Sequence, residues 1–272
     1  MIQDNELKPK PMRSSLLASV LFVMSPACLA DIALQKALQP FYGKFVQEKS
    51  GWLQSGPLDP EALQRIFTVC LDKPGLMHGA QARFVAVCGN PFDGQSGTHV
   101  DAGLIDLYIL TANSEVQAKL QEFAAGSYGF AGPVELHQIG PLDHAFVVGS
   151  SYTGMGQIAA WDTVIAARDN KLLELITITT GVSNEGAGYC DNEFRKEILA
   201  QRGDSENKQG LRCLDLGYSF QFDSSSQTAD YYDLSIQESG VIEGMPTTRR
   251  FQIKFDPSVW RYVLPNELVF EI

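Results

Sequence analysis

The sequence predicts a mainly β protein (α+β by class margin). The expected form is a single antiparallel β-rich domain, a bent sheet, sandwich or open barrel, with a small helical N-terminal part. Three observations carry this. Between Pro133 and Asn184, apolar runs of strand length are broken by turn residues. From Arg212 to Asp223, the residues Leu214, Leu216, Tyr218, Phe220 and Phe222 alternate strictly with Asp215, Gly217, Ser219, Gln221 and Asp223. Such alternation marks a sheet with one buried and one wet face. Tyr232-Leu234-Ile236 and Phe251-Ile253-Phe255 repeat the same period.

The first 30 residues read as an export leader. Leu16 to Met24 is a short apolar core, Ser25-Pro26 breaks it, and Cys28 and Ala30 stand where a signal peptidase reads small residues. The core is too short for a stable membrane span. Cleavage after Ala30 leaves 31–272 as one domain, with residues 31–80 as the helical part and 81–272 as the antiparallel sheet. Met12-Arg13-Ser14-Ser15 makes a cleaner start than Met1, whose flanking residues fit no signal; a long leader from Met1 is the other reading. Ser25-Pro26-Ala27 lacks the large aliphatic residue that precedes a lipidated cysteine, which argues against a lipoprotein at Cys28.

From Asp31 to Phe45 apolar residues recur at near-helical spacing, and Pro40 interrupts them, so a short helix is expected there. Asp59-Pro60-Glu61 reads as an N-cap with proline at the first helical position, giving a helix from Pro60 to Val69 that Lys73-Pro74-Gly75 ends. Arg83 to Cys88 and Gly103 to Thr111 are expected strands, with Gly89 to Gly97 a loop and Asn113-Ser114 a turn. Glu115 to Phe123 fits both periods and is assigned to the second arm of a hairpin. Residues 133–184 supply four more strands, with a hairpin turn at Asp169-Asn170. Asn192 to Leu199 forms a short helix, and Asp223 to Ser226 and Gly240 to Thr248 are connecting loops.

Of 44% hydrophobic residues a sizeable core can be built. The formal charge is −11; removing the leader takes Lys8, Lys10, Arg13, Asp4 and Glu6 from 21 basic and 32 acidic residues, leaving 18 and 30, a net of −12. That surface repels nucleic acid and suits solubility or a basic protein partner. After the leader an even set of cysteines remains: Cys70, Cys88, Cys190 and Cys213. Three pairings are possible, and the sequence-local one, Cys70 with Cys88 and Cys190 with Cys213, is expected. A four-thiolate zinc site is the rival, without a C-x-x-C spacing to support it.

The glycine-bearing stretch Tyr152-Thr153-Gly154-Met155-Gly156-Gln157 is the candidate contact loop. It lacks the third glycine and the following helix of a dinucleotide fingerprint. It reads instead as a hairpin connection using positive φ at glycine, with Tyr152 and Met155 at its tip. His99-Val100-Asp101 and Glu135/His137 each put an imidazole and a carboxylate on one strand face, without a third or fourth metal ligand in view. Ser96 completes a possible cluster with His99 and Asp101, but G-x-S-x-G is absent. Asn184 to Glu193 is oxygen-rich without the spacing of a calcium loop. Of Tyr231 and Tyr232, alternation buries one. No catalytic residue, metal site or cofactor is therefore expected. The functional expectation is an exported, periplasmic, non-enzymatic protein that binds another protein, of the envelope-factor, inhibitor or toxin-neutralising kind. A secreted hydrolase with a site of scattered residues, or a structural envelope component, are the alternatives.

Overall fold

The computed structural model describes residues 26–53, 64–92, 94–202, 212–228 and 230–269. Helix α1 (Pro26–Leu38) runs into a 3-10 turn over Gln39–Phe41, where Pro40 ends the α-helical ladder as expected. Residues 1–25, which hold most of the expected leader, lie outside the described ones. Strands β1 (Phe45–Val46), β2 (Gly51–Leu53), β3 (Arg65–Met77), β4 (Ala80–Pro91), β5 (Gly103–Leu110) and β6 (Val116–Ala125) form a six-stranded sheet in chain order. Strands β7 (Val134–Gln138), β8 (His144–Gly154), β9 (Gln157–Arg168), β10 (Lys171–Ser183), β11 (Leu214–Thr228), β12 (Tyr231–Ile242) and β13 (Met245–Ile253) form a seven-stranded one, again in chain order. Helix α2 (Asn192–Arg202) lies between β10 and β11, and a small pair, β14 (Phe255–Asp256) and β15 (Arg261–Tyr262), closes the chain. Every pairing is antiparallel.

Side-chain direction converts this order into layers. In β4, Val85 and Val87 face α1, packing with Leu34, Leu38, Trp52, Phe67 and Tyr108. Their neighbours Phe84, Ala86 and Cys88 face the other way, onto Phe146, Val148, Ile165 and Leu172 of the second sheet. The far face of the second sheet, with Ala145, Val147, Val164 and Leu216, is partly covered by Phe255, Tyr262 and Leu268. Central strands buried on both sides read as unbroken apolar runs, which is why β4, β5 and β8 show less alternation than β11.

Several elements depart from the expectation. The helix over Pro60–Val69 is not present where the chain is described: residues 60–63 lie outside, and Arg65 to Val69 begin β3. Ile66, Thr68 and Val69 are β-branched, and Phe67 pairs with Trp52 across β2–β3. Lys73-Pro74-Gly75 lies inside β3 rather than after a helix. Pro74 is tolerated because β2 reaches only to Thr68, so no strand pairs with β3 along that edge at Pro74. Among the described residues, the helical segments before residue 80 are α1 and the 3-10 turns Gln39–Phe41 and Gln47–Lys49. Strand β4 runs on to Pro91, into the expected loop, and β11 continues past Asp223 to Thr228 through a bulge. Between β12 and β13 only Glu243 and Gly244 turn the chain, in place of the loop expected over Gly240–Thr248.

The expected strand over Glu115–Phe123, the Asp169-Asn170 turn and the helix from Asn192 are all present. Both sequence-local disulfides form. Cys70 occupies the β3 bulge beside Cys88, and Cys190 ties the α2 end to Cys213 at the start of β11. That pairing removes the thiolates a zinc site would need. Among the described residues no helix is long and apolar enough to cross a membrane.

Candidate functional site

The loop Tyr152–Gln157 is the tip of the β8–β9 hairpin. Gly154 pairs with Gln157, so the turn itself is Met155-Gly156, with φ of 52° and 74°. Two successive positive φ values match the right-handed strand twist of a tight hairpin. The expected positive φ at glycine falls on Gly156, and Met155 shares the left-handed backbone, while Gly154 lies in the strand pair. Gly156 also backs onto the 3-10 turn Glu185–Ala187, where a Cβ would lie 2.2 Å from the Gly186 carbonyl. Met155 is 94% exposed and Ile158 beside it 51%, while Tyr152 is half-buried with its ring 6.0 Å from that of His99.

The same end of the sheet carries α2. Asp191 caps it, accepting the backbone N–H of Glu193 at 2.8 Å and of Phe194 at 3.2 Å. Arg195 pairs with Glu243 in the β12–β13 turn, and Glu243 accepts the Cys213 N–H at 3.1 Å. Asn184 bonds Arg212 and Leu214 through its side chain. Within the oxygen-rich stretch 184–193, Asn184 thus serves as a brace and Asp191 as a cap.

A second feature lies on the half-covered face of the seven-stranded sheet. Strands β7 and β11 are four spacings apart, about 19 Å if the sheet were flat. Yet the His137 ring on β7 is 6.4 Å from those of Phe220 and Phe222 on β11. The sheet is curled into a half-barrel, and these rings meet across its lumen. A cavity of about 310 Å³ results, with Glu135 and His137 on one wall, Val147, Gly149, Asp162 and Thr180 along the floor, and Tyr218 and Phe220 opposite. His137 Nε2 and Glu135 Oε2 are 2.9 Å apart. Burial raises the Asp162 carboxyl above the usual carboxylate range; Glu135 nearby adds to this and His137 opposes it. Tyr218 donates its hydroxyl to Glu238 at 3.0 Å, which Arg249 grips from β13.

The other histidines stand apart from this cavity. His78 lies 3.2 Å from Asp143, and His144 Nδ1 accepts the N–H of Leu76 at 3.1 Å. His99 and Asp101 sit in a loop, not on a strand, and Asp101 accepts the N–H and hydroxyl of Thr98 at 2.6 and 2.9 Å. Those bonds hold the Asp101 carboxyl below its ordinary range. Among the described residues Ser96, His99 and Asp101 share no hydrogen bond, and no three His, Cys, Asp or Glu side chains could hold a metal ion. Tyr231 is the buried member of its pair and Tyr232 the half-buried one. Asp162 carried no sequence signal, because what makes it distinctive is the curl that encloses it. Comparisons with protein-family models, with curated proteins and with solved structures each found no match.

Proposed function

We propose that this chain is an exported, non-catalytic binding protein that recognises a protein partner through the Tyr152–Gln157 hairpin tip. The observation that supports it is Met155: an apolar side chain 94% exposed at the end of a hairpin braced by the Glu185–Ala187 turn. A rigid support with an exposed apolar tip loses little conformational freedom on docking. The acidic composition favours a basic partner, and two disulfides suit an oxidising compartment.

The test is affinity capture from envelope extract at low salt with the wild type and with the double variant Met155→Asp/Ile158→Asp. A basic protein retained by the wild type and lost by the variant is the expected result. Both positions face solvent, so the variant should keep its melting temperature. Nothing captured above background, or equal capture by both chains, would overturn the reading.

A further inference from the structure

The buried acids of this protein come with partners. Asp106 accepts the Tyr42 hydroxyl and the Glu122 N–H, both at 2.6 Å, Asp143 takes the His78 N–H at 2.7 Å, Asp233 the Ser226 hydroxyl at 2.6 Å, and Glu238 is held by Arg249 and Tyr218. Asp162 breaks this pattern. It is half-buried on the floor of the half-barrel, and among the described residues it has no hydrogen-bond partner. Neither lysine nor arginine lines the cavity, and Arg249, which bonds Tyr218's partner Glu238, is committed to that carboxylate. Glu135 adds a second carboxylate on the wall, and its contact with His137 leaves one of its oxygens open. A carboxylate partly withdrawn from water, with no donor from the protein, gains a charge-assisted hydrogen bond when a cationic donor binds beside it.

The lumen otherwise has the make-up of a ligand site: concave, walled by Phe220, Val147 and Pro133, with a few convergent polar groups. Its volume of about 310 Å³ suits a group of modest size. We propose that the half-barrel lumen binds the ammonium or guanidinium head of an organic cation. The head would sit between Asp162 and Glu135, and its alkyl stem against Phe220 and Val147. The cation is either a free small amine or the side chain of a lysine or arginine presented by a polypeptide. The lumen is distinct from the hairpin tip, so this inference stands or falls independently of partner docking there.

The His137 ring resonances report on the lumen directly, because that ring forms one wall. Titrations at matched ionic strength would use n-butylammonium, n-butanol as its neutral counterpart, and the capped tripeptide Gly-Lys-Gly. Saturable shifts with butylammonium at a Kd of about 1 mM or below, absent with butanol, are expected. Asp162→Asn should weaken them about tenfold with near-UV circular dichroism unchanged, and the more exposed Glu135→Gln should weaken them less without perturbing the fold. Saturation by the tripeptide at similar concentration would assign the source to a polypeptide side chain, and saturation by the amine alone to a small molecule. No saturation by either cation, equal shifts from butanol, or unaltered binding by both variants would overturn the proposal.

Discussion

Glu238 lies in a row of three residues that face one another across adjacent strands, Tyr218 on β11, Glu238 on β12 and Arg249 on β13. Burial alone would raise its carboxyl, but the hydrogen bonds from Arg249 and Tyr218 outweigh it and hold the group below its ordinary range. Arg249 itself is 41% exposed, so its loss costs less than for a fully enclosed pair. Arg249→Met should lower stability by about 2 kcal/mol, read as a shift in urea midpoint. Glu238→Gln in the same chain should recover part of it. His144 behaves differently. Its Nδ1 accepts a hydrogen bond and so carries no proton, and burial against Phe84 and Gly75 pushes the imidazole below its ordinary value of 6.5, with Asp143 acting against the shift. A base depressed in the folded state binds fewer protons there than in the unfolded chain. Its contribution is therefore complete above pH 6.5 and is lost as pH falls from 6.5 through the folded value. Asp143, which pairs with His78, is the charged group beside it. Urea midpoints across this window should fall more steeply for the wild type than for His144→Gln, which keeps an acceptor and cannot titrate. Parallel curves would exclude His144 as the cause.

The segment between β6 and β7 is where the two sheets are joined, and it passes close over β8. At Gly132 a Cβ would lie 1.8 Å from the Gly149 carbonyl oxygen, a backbone atom that cannot step aside. Gly132→Ala should therefore cost at least about 3 kcal/mol or prevent folding, as judged by circular dichroism and soluble yield. The disulfides act on separate elements. Cys190–Cys213 closes a separation of 23 residues and Cys70–Cys88 one of 18, so each should contribute about 3 kcal/mol in the chain-entropy account. Serine replacement of either pair, followed by denaturant titration, checks this, and reduction should liberate four thiols. These elements also mark how far the sequence could be read. Alternation located β11, and turn chemistry located Asp169-Asn170, because both signals are local. The start of β3 reads as helix because Asp59-Pro60-Glu61 has the form of an N-cap, while Phe67 packs on Trp52 and Tyr42, contacts no local pattern contains. The turn at Met155-Gly156 was legible, and the Glu135/His137 pair also. Asp162 was not, since the residues that share the lumen with it come from strands far along the chain.

The whole molecule stacks helix, six-stranded sheet, seven-stranded sheet and C-terminal segment, with three apolar clusters between them. Residues from the two sheets share the middle cluster, so neither sheet can lose its partner without exposing Phe84, Phe146 and Ile165. Unfolding should therefore be a single transition. Trp52 reports on the first cluster and Trp260 on the last. With Trp161→Phe as background, single-tryptophan chains carrying only one of these should give coincident urea curves. Separated midpoints would show that the layers melt independently.

The strictly sequential strand order has a consequence for how the chain meets its surroundings during synthesis. Each strand from β2 to β6, and again from β8 to β13, is hydrogen-bonded to the one immediately before it. A polypeptide released N-terminus first, from a ribosome or a translocation pore, always presents its newest strand to a neighbour already outside. No later segment has to be inserted between earlier ones in either sheet, and the longest wait falls on the inner face of the first sheet, which stays bare until Phe146 and Ile165 emerge to cover it. A holding factor that shields apolar surface would be needed during that interval and not after it.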